Sequence, residues 1–341
     1  MKSAEALEKY EQWLIRERLS PLTRESYLGW AERYFLFKDP SGTKNVEDRI
    51  SNFLSSYSRH SEATVNQALN ALAGKSGFYA AMGRPVGQLP PWVNPSRPKN
   101  MPVWVTQSEG ESIIKQLTEP WAVMAGLMLG SGLRIGECVS LRWRDFDFER
   151  LTVTIRRGKG NKDRVTVLSR RMVEPLRQRM ERCRGLWQED REKSRPGVAL
   201  PSGVARKCPS FGRDFPYFWV FPAAGESTDK ASGITRRHHI HRKSLSPPLR
   251  TACARAKLHK RITAHSFRHG FATMYLLAGG NLRELQRLMG HAHMETTEIY
   301  IHCLPSHTDR IGSPWDVETS REPSPILQFP RKLEPHQFKA L

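Results

Sequence analysis

The sequence predicts a mainly α-helical protein with a small β component, an α+β fold in two domains. Three observations carry this: apolar residues recur at helical spacing through most of the chain, one pair of strand-period segments lies between Leu151 and Leu168, and a proline-rich break separates an all-helical first part from a mixed second part. At 341 residues and 38% hydrophobic content, each part is long enough to bury its own core.

From Ser3 to about Met82 four helical runs are expected, in EALEKYEQWLIRER, TRESYLGWAERYFLF, VEDRISNFLSSY and EATVNQALNALAGKSGFYAAM, with Ser3, Thr23, Asn45 and Ser61 placed to cap them. Gly74 and Gly77 weaken the last run. Residues 1–82 thus form a helical domain. Six prolines fall between Gly83 and Pro102, so 83–104 reads as an extended, basic linker. The second domain, 105–316, opens with the capping box Thr106-Gln-Ser-Glu109 and a helix through Leu117, followed by an apolar helix from Trp121 to Gly130. Gly132 permits a tight turn, after which Arg134 starts a helix through Leu141. Leu151–Arg157 and Arg164–Leu168 alternate with period two, and GKGNKD joins them as a β-hairpin with a cationic tip carrying Lys159 and Lys162. Helices follow from Arg171 to about Asp190, over Pro247–Lys257 with Ser246 as cap, over Ala264–Ala278 and Leu282–Met289, and around Tyr300. An insertion occupies about 190–245, and 317–341, rich in Pro, Ser and charge, reads as a mobile tail.

Charge narrows the partner class. The formal net charge is +20, and residues 195–262 hold 14 Lys/Arg against 3 Asp/Glu. Such a surplus favours a polyanion through counterion release, and nucleic acid is the first candidate. The start MKSAEALEKY lacks an apolar leader, and the longest apolar stretch, Trp121–Leu133, is too short to span a bilayer, so a cytoplasmic protein without membrane contact is expected. Cys138, Cys183, Cys208, Cys253 and Cys303 stand far apart with no Cys-x-x-Cys pair, which argues against a zinc ribbon or a disulfide framework.

Arg134, Lys159, His265, Arg268, His291 and Tyr300 form an ordered series suited to a phosphodiester. Attack by a tyrosine hydroxyl needs the phosphate oxygens neutralised, a proton removed from the nucleophile and a proton given to the leaving sugar oxygen. Arg134 and Arg268 fit the first task as guanidinium forks. His265, one turn before Arg268, shares its face and is a proton acceptor for Tyr300. Lys159 on a hairpin tip is a general acid, and His291 can donate its ring N–H to a phosphate oxygen. Tyr300 would form a covalent 3′-phosphotyrosine, with no metal or cofactor required. Glu137, three residues after Arg134, orients an arginine rather than reacting. In the insertion, Phe218, Trp219 and Phe221 offer stacking faces, and Arg236, Arg237, His238 and His239 offer charge and hydrogen bonds. The alternative for FPYFWVF is a buried strand with Trp219 in the core. His238, His239 and His241 lack the Cys or carboxylate partners of a metal site.

The words GSGLRIGE, HSFRHGFAT and LMGHAHMETTEIYIH, which hold Arg134, His265 with Arg268, and His291 with Tyr300, resemble the active-site boxes of tyrosine recombinases. Gly136 and Gly270 stand where such boxes often carry serine. The long insertion, with GVALPSGVARKCP, FWVF and RRHHIH, resembles the additional segment of integron integrases. The resemblance implies a core-binding domain at the N-terminus, a C-shaped clamp on DNA, and strand exchange within a homotetramer. It further implies recognition of folded single-stranded hairpin sites through protruding bases. The alternatives are the same chemistry on duplex sites, as in phage-type integrases and chromosome-dimer resolving recombinases, a type IB topoisomerase, and a catalytically silent DNA-binding regulator.

Overall fold

The structure is a computed structural model describing residues 3–84, 86–87, 102–156, 163–229 and 232–301. The chain divides into two compact units, residues 1–100 and 101–341.

In the first unit, α1 (Ser3–Arg16), α2 (Pro21–Leu36), α3 (Val46–Ser56), α4 (Glu62–Ala73) and the short α5 (Phe78–Ala81) enclose one core. The stripe Ala6, Tyr10, Leu14 repeats every four residues, stacks along one face of α1 and is buried throughout. The Tyr10 hydroxyl donates to the Ala71 carbonyl at 2.7 Å, tying α1 to α4. Asn45 and Ser61 cap α3 and α4 as expected, but Ser20, not Thr23, caps α2: Thr23 N–H donates to Ser20 Oγ at 3.1 Å. The expected fourth run breaks at Gly74. A Cβ there would stand 2.5 Å from the Asn70 carbonyl oxygen, and one at Gly77 would stand 2.7 Å from that of Leu72, so the chain folds back on itself where only glycine fits. Gly87 N–H reaches Glu47 Oε1 at 3.0 Å, holding this part of the expected linker against α3.

The second unit is built around α7 (Trp121–Ser131), which is apolar all round and buried along most of its length. It follows α6 (Gln107–Gln116), whose capping box forms as read: Thr106 Oγ1 accepts from Glu109 N–H while Glu109 Oε2 accepts from Thr106 N–H. Gly132 ends α7 in the left-handed conformation at φ 67°, and α8 (Ile135–Val139) begins directly after Arg134 and ends two residues short of Leu141. Strands β1 (Phe146–Asp147), β2 (Thr152–Ile155) and β3 (Arg164–Val167) form an antiparallel sheet in the order β1-β2-β3, with Thr152 paired to Val167 and Ile155 to Arg164. Next comes α9 (Val173–Glu192).

The insertion contains α10 (Ser202–Lys207) and a hairpin of β4 (Pro222–Thr228) and β5 (Thr235–His239). Then α11 (Ser246–Arg255) takes Pro247 in its first turn, with Ser246 as first helical residue and Leu245 at the cap position. Finally α12 (Ala264–Leu277), α13 (Leu282–Met289) and the single turn α14 (Glu295–Glu298) follow. None of the described helices is long and apolar enough to cross a membrane.

Candidate active site

Glu137 is the hub. The Arg134 backbone N–H donates to its Oε2 at 2.8 Å, as the α8 N-terminus requires, and the Arg134 guanidinium donates to Oε1 at 2.9 Å. Arg164, the first residue of β3, grips both oxygens with a two-pronged fork at 2.7 Å each. Arg268 lies 3.9 Å away. Burial alone would raise the Glu137 pKa, but the Arg164 fork and the Arg134 contacts outweigh it and hold the carboxyl at about 2. Three guanidiniums against one carboxylate leave an excess of positive charge at the point where a phosphate is expected.

Arg268, in the second turn of α12, is 4% exposed at its side chain. Its Nη1 donates to the Gly132 carbonyl at the turn before α8, and its Nη2 donates to the Met289 carbonyl at the end of α13. Thus it stitches together the three segments that carry the site. Burial, with Arg134 adding repulsion, lowers its pKa to about 9. Arg134 also reaches the Gly290 carbonyl at 3.1 Å, yet keeps 24% of its side chain exposed, so it presents the more open guanidinium.

His291 follows Gly290, which caps α13 in the left-handed conformation at φ 63°. Its Nε2 lies 3.0 Å from Arg268 Nη2 and its Nδ1 lies 2.9 Å from Thr297 Oγ1. A guanidinium only donates, so Nε2 accepts and the ring proton sits on Nδ1, donating to Thr297. His291 thus accepts from Arg268 and donates to Thr297, bracing the guanidinium. Burial, then Arg268 and Arg134, push its pKa down to about 3.

Tyr300 lies just beyond α14, 1% exposed, in a cluster with Phe271, Leu285, Leu288 and Met289. Its ring lies nearly parallel to that of His291, with centroids 6.2 Å apart. Its hydroxyl is 2.9 Å from Nδ1 of His269, a residue the sequence reading passed over. His265, expected as the proton acceptor for Tyr300, is exposed in the first turn of α12, its ring 6.5 Å from that of His269. Partial burial, Arg268 and Arg134 lower its pKa. The signal for His269 was present: it adjoins Arg268 and stands one turn, i,i+4, after His265, on the same helix face.

Arg164 was also passed over; in RVTVL the charged residue faces inward while Val165 is 53% exposed. The structure thus gathers Arg134, Arg268, His291 and Tyr300, with His269, Glu137, Arg164 and Thr297 around them. Lys159 and Lys162 lie outside the described residues.

The insertion corrects two expectations. Trp219 is 6% exposed, its ring under the Arg142 guanidinium at 3.8 Å, and its Nε1–H donates to the Arg237 carbonyl. Arg142 is fixed there by the carbonyls of Tyr217 and Ala199. Arg237 is buried in a two-pronged pair with Asp190 of α9 at 2.7 Å per contact. Both side chains hold the insertion to the domain and offer no free face. The buried reading of FPYFWVF is the one realised for Phe218, Trp219, Val220 and Phe221, which reach the core through an isolated bridge between Arg142 and Trp219. Arg236, His238 and His239 are partly exposed on β5. His239 meets the Trp219 ring edge-on at 5.0 Å and donates from Nδ1 to the Ile240 carbonyl; burial lowers its pKa.

Between the insertion and the Glu137 hub lies a cavity of about 400 Å³ lined by Arg142, Arg144, Arg156, Tyr217, Trp219 and Val204, among others. Arg144 stacks over the Tyr217 ring at 4.3 Å, and Arg156 is held by Asp145 at 2.9 Å.

Residues 104–307 match the Phage integrase family. An integrase/recombinase of Escherichia coli is 34% identical over 317 residues, covering 89% of this chain and 92% of that protein. Tyrosine recombinase XerA of Thermococcus onnurineus is 27% identical, covering 89% of this chain and 92% of its own length. Among solved structures, the Tn1549 transposon integrase in complex with circular intermediate DNA has a TM-score of 0.57 at 17% identity, covering 86% of this chain and 94% of that one. XerH recombinase bound to its difH substrate has a TM-score of 0.54 at 20% identity, covering 87% and 80%. These last two likenesses are of fold.

Proposed function

Since the chain belongs to the phage integrase family and is a tyrosine site-specific recombinase of the integrase and Xer type, we propose that Tyr300 is its nucleophile and that Arg134 and Arg268 clamp the scissile phosphate. The observation that carries this is the convergence of four segments, from the Gly132 turn to Tyr300, on one cationic centre with the tyrosine hydroxyl beside it. In the reaction, the Tyr300 oxygen bonds to phosphorus, the bond to the 5′ oxygen breaks, and Lys159 protonates that oxygen. The bond energy stays in the 3′-phosphotyrosine for rejoining. Arg134 supplies the accessible fork. Arg268, braced by His291, supplies a fixed one that needs no reorganisation when charge develops. His265 stands at the open side of the same helix face, where a phosphate oxygen is within its reach.

The finer reading is an integron-type integrase that works on folded single-stranded sites, in the cytoplasm and as a homotetramer. Residues 1–82 then form the core-binding domain, 83–104 a basic linker, 105–316 the catalytic domain and 317–341 a tail. Its support is the folded insertion and the cavity beside the Glu137 hub. The arginines that line it, two of them already stacked on Tyr217 and Trp219, suit the plane and edge of a single unstacked base, and about 400 Å³ is ample room for one. Of the insertion residues expected to meet DNA, Arg236, His238 and His239 remain partly exposed for such a role.

The experiment is an SDS-resistant adduct assay on a folded single-stranded hairpin site and its duplex counterpart, with Tyr300→Phe as control. A Tyr300-dependent adduct on the hairpin and little on the duplex supports the finer reading. Adduct on duplex alone leaves a duplex recombinase or a topoisomerase, and adduct formed by the Tyr300→Phe variant removes Tyr300 as nucleophile.

A further inference from the structure

The geometry points to a further catalytic residue: we infer that His269 takes the proton of the Tyr300 hydroxyl during strand cleavage and returns it during rejoining. The inference rests on the assignment of Tyr300 as nucleophile. Its basis is contact with the reacting atom itself, Nδ1 of His269 lying 2.9 Å from the Tyr300 oxygen. The helix fixes this placement. Arg268 and His269 are consecutive in α12, so one residue holds the carbonyl framework of the site while the next turns toward the nucleophile.

The surroundings keep the ring in the state an acceptor requires. Burial, then His265 and Arg268, hold the His269 pKa down to about 4, so at neutral pH the ring is uncharged and one nitrogen carries a lone pair. Such a ring is too weak a base to ionise a resting phenol. The proton therefore moves as the oxygen–phosphorus bond forms, when the phenol becomes far more acidic and the arriving phosphate offsets the nearby positive charge. Every atom is accounted for: Tyr300 O–H breaks, its proton goes to His269 Nδ1, the Tyr300 oxygen bonds to phosphorus, and the expelled 5′ oxygen takes a separate proton from Lys159. Rejoining runs the same path backwards, the His269 imidazolium protonating the departing Tyr300 oxygen.

His269→Asn tests this, because the asparagine carbonyl oxygen occupies the place of Nδ1 and keeps the hydrogen bond but cannot take a proton. Single-turnover cleavage is measured on a substrate with the ordinary 5′ oxygen and on one with sulfur at that position, whose thiolate leaves without protonation. The expected result is a loss of about 100-fold or more for His269→Asn on both substrates, within the range general bases supply. Lys159→Ala, by contrast, should recover on the sulfur substrate. Cleavage by His269→Asn within a few-fold of the parent would overturn the proposal and leave His269 as a mere brace. Absence of any adduct with the parent protein would instead sink the Tyr300 assignment.

A second measurement uses the parent chain. With ¹⁵N-labelled histidine, Nδ1 of His269 should resonate as a bare, pyridine-like nitrogen that accepts from Tyr300, and shift in Tyr300→Phe. A proton found on Nδ1 in the free protein would overturn the proposal, since that nitrogen would then be donating to the tyrosine.

Discussion

Glu137→Gln removes one charge and almost no volume from the centre of the site. The carboxyl sits at about 2 against an ordinary 4.5, a difference worth about 3 kcal/mol in favour of the ionised form. Its side chain is only 10% exposed, as is that of Arg164, so solvent screening removes little of this. The amide can accept from one guanidinium, but Arg134, Arg164 and Arg268 then repel one another without a countercharge. Breaking a buried ion pair from one side costs about 3–5 kcal/mol, in line with the first figure.

The variant should therefore lose about 3 kcal/mol in the unit of residues 101–341 at pH 7, a fall of roughly 6–12 °C in its thermal midpoint. Calorimetry of the full chain reads this. Because the folded-state pKa is depressed, the Glu137 contribution is complete above pH 4.5 and drains away as the pH falls toward 2, so parent and variant midpoints should converge over that window. An unchanged midpoint at pH 7, or a gap that does not narrow on acidification, would refute the hub.

Trp219→Ala should cost about 3–5 kcal/mol of stability, seen in urea unfolding, because it empties a buried ring site beneath Arg142; hairpin and duplex binding should then weaken together, and a selective hairpin loss would argue that the ring meets DNA. Gly270→Ala would place a Cβ 2.4 Å from the Val105 carbonyl oxygen and should destabilise by about 1–3 kcal/mol, whereas Gly136→Ala meets open space and should stabilise by about 0.5 kcal/mol; equal midpoints would contradict this pairing. His269 and His291 have folded-state pKa values of about 4 and 3 against 6.5, so the stability tied to their neutral form is full above pH 6.5 and is lost below it. Between pH 7 and 5 each should account for roughly 2 kcal/mol, checked by a flatter pH profile in His291→Gln.

The sequence made the helices legible wherever burial follows one stripe, as in Ala6, Tyr10 and Leu14, and wherever a cap is a local affair, as in the Thr106–Glu109 box. The cluster of Arg134, Arg268, His291 and Tyr300 was legible as a set, because the types and order of these residues match what a phosphodiester would demand. What could not be read was which side chains would meet across long separations. Arg268 and His269 look alike in a linear string; only the packing of α12 against α13 sends one to backbone carbonyls and the other to Tyr300. Arg164 inverts the usual rule for a strand, charge inward and Val165 outward, because its partner is a carboxylate 27 residues away. Trp219, left between a stacking face and the core, and Arg237, expected as an open contact, were undecided or misread for the same reason: both found buried partners, Arg142 and Asp190, which no periodicity announces.

The site draws Arg134 from one end of its unit and Tyr300 from near the other, with Arg268 between them holding Gly132 and Met289. Chains emerge from the ribosome N-terminus first and fold in that order. With Tyr300 as the proposed nucleophile, most of the basic residues of the chain are therefore made before the residue that would cut. The closing segment that brings His291 and Tyr300 is made last. Under that proposal, order of synthesis acts as a safety interval: a copy that stops short of Tyr300 lacks the residue with which to cut.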